Sequence, residues 1–164
     1  MAADELVVIV DEQNRVMGSA TRRQMRAERL PHRATYVFVF NSAGRIYVQL
    51  RTATKDVYPS YWDLAAGGVV LAGESYEESA ERELAEEMGI RGVPLEPWFE
   101  FYFEDAGSRV FGFAYSCCWD GPLELQAEEV QRVELMDVAF VLSGAPAREF
   151  TPDSLLALQR RYGS

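Results

Sequence analysis

The sequence predicts a mixed α/β domain, and three observations carry that prediction. Short β-rich runs come in pairs on either side of one amphipathic, glutamate-rich helix, and a second helix is predicted near the end of the chain. Its 164 residues with 48% hydrophobic content can fill one proper core, so residues 1–164 are read as a single domain. No internal repeat or low-complexity segment is visible.

Residues 6–10 are β-rich, and a turn at 11–14 leads to Val16, Met17 and Gly18, which predicts an opening hairpin. Thr21 can cap a short basic helix running to about Glu28, after which Pro31 breaks the pattern. Arg22, Arg23 and Arg26 on that helix either approach an anionic ligand or, as is expected here, lie on a solvated face. His32 is the only histidine and has no Ser or Cys arranged as a nucleophile, so a structural or surface role is expected for it. Residues 34–40 and 45–51 form two β-patterned runs joined by Asn41-Ser-Ala-Gly44, a second hairpin. Arg51 ends the second run, with Lys55 four residues on. The two cations either face water or hold the oxyanions of a diphosphate. Tyr58, Tyr61 and Trp62 then approach the next segment and are expected to pack in the core or at its rim.

Residues 67–90 are a glycine-rich loop feeding a helix overloaded with carboxylates. Ser75 and Glu78 have capping-box spacing, and Gly89 is placed to end the helix. Tyr76, Ala80, Leu84 and Met88 recur every four residues as one narrow apolar stripe. Glu83, Glu86 and Glu87 lie off that stripe, and spacings of three and four bring their carboxylates near one common point. Between Glu74 and Glu87, seven glutamates stand against one arginine, a net charge of −6 out of −10 for the whole chain. Like charges four apart each cost a helix roughly 0.2–0.5 kcal/mol, so a cation is needed to offset them. Mg2+ suits the role, because it takes oxygen ligands and joins carboxylates to phosphates. Glu77 belongs to the solvated side.

Beyond the helix, residues 94–103 and 110–119 form a third hairpin around a turn at 105–108. Phe99, Phe101, Phe103, Phe111, Phe113 and Tyr115 alternate along it and are expected in the core rather than as a base-stacking platform. Cys117 and Cys118 are adjacent, which suits reduced strand residues. A strand at 133–136 follows, and the last helix starts at Thr151 or Asp153 with Leu155, Leu156 and Leu158 inward. The excess of acid argues against nucleic acid polymers, which need a basic face. Without an apolar run of spanning length or a signal-peptide pattern, no membrane association and a cytoplasmic location are expected.

Gly68, five residues, Glu74, seven residues, then Arg82-Glu83-Leu84-x-Glu86-Glu87-x-Gly89-Ile90 resembles the signature of the Nudix hydrolases at every defined position. The resemblance implies an α/β/α sandwich with a mixed β-sheet and an acidic loop-helix-loop motif at 68–90. It also implies hydrolysis of a nucleoside diphosphate linked to another group, with Mg2+, or Mn2+ in its place, and metal-activated water. Glu83, Glu86 and Glu87 then resemble the carboxylate metal ligands, with the Gly67 carbonyl as a further one. Glu87 or Glu86 resembles the group that helps activate the water, and Arg82 the orienting arginine. Gly68 shapes the loop, and Glu74 supports the loop or metal shell. Glu129, six residues before Leu135, is placed like the family's distal glutamate, with Glu128 as runner-up. A homodimer is compatible with the resemblance.

Residues 32–70 also resemble the isopentenyl-diphosphate isomerase branch, in Arg51-x-x-x-Lys55 and Pro59-x-x-Trp62. That resemblance implies diphosphate binding by Arg51 and Lys55. The isomerase's catalytic cysteine and metal-binding histidine are replaced by Gly67 and Val69, which leaves proton transfer to an alkene without its acid. A third alternative is a sensing domain that binds nucleotide without turnover. An intact glutamate set speaks against it. The leaving group is not legible, because it is chosen by loops outside the motif.

Overall fold

The computed structural model describes residues 3–144 and 148–163. β1 (Leu6–Val10) and β2 (Val16–Thr21) form the expected antiparallel hairpin. Asp11 closes its turn by accepting from the Gln13 and Arg15 amides at 2.8 and 2.9 Å. The Thr21 hydroxyl caps α1 (Arg22–Ala27) by accepting from Gln24 N at 3.1 Å. The chain then enters β3 (His32–Phe40), the strand on which the other parts of the fold are hung.

On one side β3 runs parallel to β7 (Ser108–Cys118), in register from His32↔Val110 to Phe40↔Cys118, and β7 is paired antiparallel with β6 (Glu96–Asp105). On its other side β3 meets β4 (Ile46–Arg51) only at Phe40↔Ile46. The two strands then part, and β4 continues against β8 (Val130–Met136) and the two-residue β5 (Trp62–Asp63). The glycine-rich loop occupies the vacated edge of β3. Thr35 N donates to Gly68 O at 3.0 Å, Val37 N to Ala66 O at 2.6 Å and Val70 N to Arg33 O at 2.9 Å. These bonds satisfy strand amides and a strand carbonyl that would otherwise be unpaired.

β3 is apolar on both faces because helices cover both. Val37 and Val39 pack under α2 (Tyr76–Met88) with Ala80, Leu84 and Met88. Tyr36 and Phe38 face the opposite cluster, with Ala157 and Leu158 of α4 (Pro152–Tyr162). The result is the expected α/β/α sandwich around a mixed sheet. Burial of a side chain such as Leu84 contributes about 1.5–3 kcal/mol. The capping box of α2 is formed in both directions, and Gly89 ends the helix at φ 71°.

Several local expectations needed revision. The aromatic hairpin does not send all its rings into one core. Phe101 pairs with Gly112 and joins the α4 cluster, whereas Phe113 and Tyr115 lie on the α2 side, and only Phe101 and Tyr115 of the six are fully buried. Strand β8 begins at Val130, earlier than expected, because it must span β4. β5 and the one-turn α3 (Val138–Leu142) carry too few residues to show a period. Thr151 is the N-cap of α4, without a side-chain capping bond. Cys117 and Cys118 are free thiols on β7, one buried and one exposed.

Candidate active site

The site is built where the glycine-rich loop crosses α2. Gly67 has φ 150°, and a Cβ there would lie 1.9 Å from the Thr35 carbonyl oxygen. A Cβ on Gly68 would lie 2.8 Å from Glu83 Oε1. Both glycines are therefore spatial requirements: one lets the loop hug β3 and the other lets a carboxylate reach under the loop. Glu83 and Glu87, one helical turn apart, are 2% and 6% exposed. Gly67 N donates to Glu87 Oε1 at 3.3 Å. Burial pushes the Glu83 carboxyl up, while hydrogen bonding to Glu87 and the Arg82 charge pull the other way. Burial also pushes Glu87 well up, and the neighbouring Glu83 charge adds to it.

Arg82 gathers three carboxylates. Its Nε and Nη2 donate to Glu74 at 2.6 and 3.0 Å, and its Nη1 donates to Glu83 Oε1 at 2.9 Å and Glu86 Oε2 at 3.2 Å. Glu74 in turn accepts from Leu71 N at 2.9 Å, which ties the loop to the helix. Only a planar fork serves several oxygens in this way. Glu86 thus faces Arg82 with its side chain 45% exposed, apart from the buried pair.

The segment before β8 brings in the distal glutamate. Gln126 N donates to Glu87 O at 3.1 Å and Glu124 N to Met88 O at 2.9 Å, so residues 124–130 lie against the last turn of α2. Glu129 is buried and ion-paired to Lys55, whose charge also acts on Glu87. Glu128 is exposed. Lys55 and Arg51 both line a cavity floored by Gly67 and Gly68. Arg51 is engaged within the protein, donating to Tyr58 O, Val57 O and Asp63 Oδ2 at 3.2, 2.8 and 3.0 Å.

The basic helix departs from its expected solvated role. Arg22 is 7% exposed, and it approaches Asp56 at 3.5 Å and Glu5 at 3.8 Å; Arg26 meets Asp56 at 3.2 Å. Spacing of one turn puts both on the face of α1 that lines the cavity, while Arg23 keeps an exposed side chain. The partner Asp56 lies in a loop with no periodic signal, so the sequence did not reveal the burial. His32 is buried, with Nδ1 2.9 Å from Leu30 O, and burial lowers its pKa to about 4; its role is structural. Tyr36, Tyr58, Asp63 and Asp153 also line the cavity. No sequence signal marked them as a group, since they come from two strands, a loop and a helix start.

Oxygen-only donors beside a loop of close-approaching backbone fit a hard divalent cation. Among the described residues, no group of three His, Cys, Asp or Glu side chains is already gathered tightly enough to hold one. Glu83 and Glu87 form the buried part of the set, and Glu86 is reached through Arg82.

A mixed α/β sandwich carrying a buried glutamate pair under a double-glycine loop defines a phosphate-chemistry class of domain. The description "NUDIX domain" matches residues 30–156, and the chain belongs to the Nudix hydrolase family. It is 51% identical to an uncharacterized Nudix hydrolase of Yersinia pestis over 96% of this chain and 85% of the relative. It is 49% identical to YfcD of Escherichia coli K12, over 96% of this chain and 87% of that one. Among solved structures, DR0079 from Deinococcus radiodurans has a TM-score of 0.82 at 25% identity, covering 96% of this chain and 99% of that one. A MutT protein from Methanosarcina mazei has a TM-score of 0.69 at 22% identity, covering 81% and 93%, and shows the shared fold. No helix among the described residues is long and apolar enough to cross a membrane.

Proposed function

We propose that the protein hydrolyses the diphosphate linkage of a nucleoside diphosphate joined to another group, with Mg2+, or Mn2+ in its place. The observation that carries this reading is the pair Glu83 and Glu87, buried side by side beneath Gly67 and Gly68, the two glycines that line the cavity. Two carboxylates in a low-dielectric site are costly unless a cation joins them. Glu83, Glu86, Glu87 and the Gly67 carbonyl would hold the ion. When bound, it neutralises diphosphate oxygens and lowers the pKa of a coordinated water.

The chain's own residues supply the rest. Arg82 fixes the rotamers of Glu74 and Glu83 and hands Glu86 to the site. Lys55 exchanges Glu129 for a phosphate oxygen of the substrate. That exchange frees the Glu129 carboxylate, alongside Glu86 and Glu87, to take the proton of the attacking water, an effect worth roughly 10²–10⁴-fold in rate. Arg51 holds residues 57–58 and Asp63 in place, so that Lys55 meets the diphosphate from a fixed wall.

The isomerase alternative is weakened by space as well as by composition. A cysteine at 67 would put its Cβ 1.9 Å from Thr35 O, and Val69 is a core residue at 4% exposure. A product-resolved screen of diphosphate compounds, isopentenyl diphosphate included, with and without Mg2+ and beside Glu87→Gln, tests all three readings. Metal-dependent cleavage lost in the variant supports hydrolysis. An isomerised product overturns it, and binding without turnover favours the sensing domain.

A further inference from the structure

The cavity beside the glycine loop has a second polar wall that the hydrolytic chemistry leaves unused. Asp153, at the start of α4, faces it together with Tyr36 of β3. Tyr36 Oη donates to Asp153 Oδ2 at 2.8 Å, and Asp153 Oδ1 accepts from Ser154 N at 3.1 Å. A carboxylate offers about four lone-pair positions, so this one keeps acceptor capacity toward the cavity. The residue is half-buried, and its carboxyl is pushed up to about 6 by burial and by the nearby Asp63. Arg51, the guanidinium in reach, is already bonded to Asp63 at 3.0 Å.

This wall is also rigid. The Tyr36 ring lies 5.0 Å from the Phe101 ring, and opposite it stands Gly112, where a Cβ would come within 2.6 Å of Tyr36. The phenol is thereby clamped with its hydroxyl aimed at Asp153. Thr151 is the N-cap without a side-chain capping bond; one Asp153 oxygen accepts from the first-turn Ser154 amide, and the other is turned to Tyr36. Apolar walls from Ala34, Val69 and Val110 complete the cavity.

We propose that Asp153, positioned by Tyr36, is the specificity contact of this cavity and accepts hydrogen bonds from hydroxyls of the group joined to the diphosphate. The inference rests on the hydrolase reading for the diphosphate and adds the class of its appendage, hydroxyl-bearing rather than apolar. A wall of buried acceptors discriminates strongly, because an analogue without donors leaves them desolvated and unpaired.

The test compares ADP-ribose, with hydroxyls on both sides of its diphosphate, and isopentenyl diphosphate, whose tail has none. Wild-type protein is expected to favour ADP-ribose in kcat/KM. Asp153→Asn, close to isosteric, is expected to lower the ratio of the two kcat/KM values about tenfold, chiefly through KM for ADP-ribose. Tyr36→Phe, which removes one hydroxyl, is expected to lower it less and guards against a misfolded Asp153 variant. An unchanged ratio, or an equal loss on both compounds, overturns the proposal. Should the wild-type protein cleave neither compound with Mg2+, the hydrolase reading rests on the wider screen of diphosphate compounds, and calorimetric affinity for ADP-ribose decides the subsite separately. Binding about tenfold weaker in Asp153→Asn supports it, and equal or absent binding overturns it.

Discussion

Glu83 and Glu87 stand on the face of α2 turned toward the glycine loop, buried; Glu77 and Glu81 stand on the far face of the same helix, exposed. The two pairs share residue type, four-residue spacing and helix. In solvent such a pair costs a few tenths of a kcal/mol. Beneath Gly67 burial raises both carboxyls, and the Glu83 charge raises Glu87 further. The outer pair is tolerated and the inner pair is maintained against the cost of burying it. Stability alone does not explain the inner arrangement, which is why it reads as a ligand set.

The largest effect is expected from Glu87→Gln. It should cut Mg2+-dependent turnover by roughly 10²–10⁴-fold, and relief of the buried repulsion should raise the metal-free melting temperature. A folded variant with full activity would abolish the contrast between the two faces. His32 sharpens it by sign. Its pKa is lowered from 6.5 to about 4 by burial, so the unfolded chain binds the extra proton in that window. Stability is therefore present above pH 6.5 and falls as pH drops toward 4, by an order of 2–3 kcal/mol. The raised glutamates act oppositely, favouring the fold when protonated. Denaturant melts of wild type and His32→Gln across this range should show a flatter acid limb in the variant; parallel curves would contradict the burial argument.

Arg82→Lys should lower kcat/KM roughly 10–100-fold with little change in melting, because an ammonium cannot serve Glu74, Glu83 and Glu86 at once. Wild-type rates would mean that the inner glutamates need no orienting. Glu77→Gln should stay within about 0.5 kcal/mol and leave turnover alone. A substantial loss there would erase the distinction between the faces.

Much of α2 was legible beforehand, because capping and apolar spacing are local properties: Ser75, Glu78, Gly89 and the Tyr76 to Met88 stripe fell where expected. The carboxylate spacing was equally legible, but its depth was not. Nothing in the sequence said that Glu83 would be covered and Glu86 would turn to Arg82, since that depends on a loop lying across the helix. The same limit applies to the cavity. Arg22 and Arg26 read as surface charges until Asp56 and Glu5 arrived from other parts of the chain. Asp153 read as a capping candidate until Tyr36 claimed it. Motifs are contiguous and therefore visible, whereas a binding wall is assembled from strands and helix ends far apart in the chain.

The pairing of β3 has a consequence for how the protein comes to be made. Its parallel partner begins only at Ser108, so the strand is synthesised long before the neighbour that will anchor it. The glycine loop and α2 emerge in between, when β3 has only its short pairings with β1 and β4 beside the edge on which the loop settles. Non-local parallel pairing of this kind is slow to form. Until residue 118 has been synthesised, the parallel half of the sheet that backs this acidic segment is incomplete.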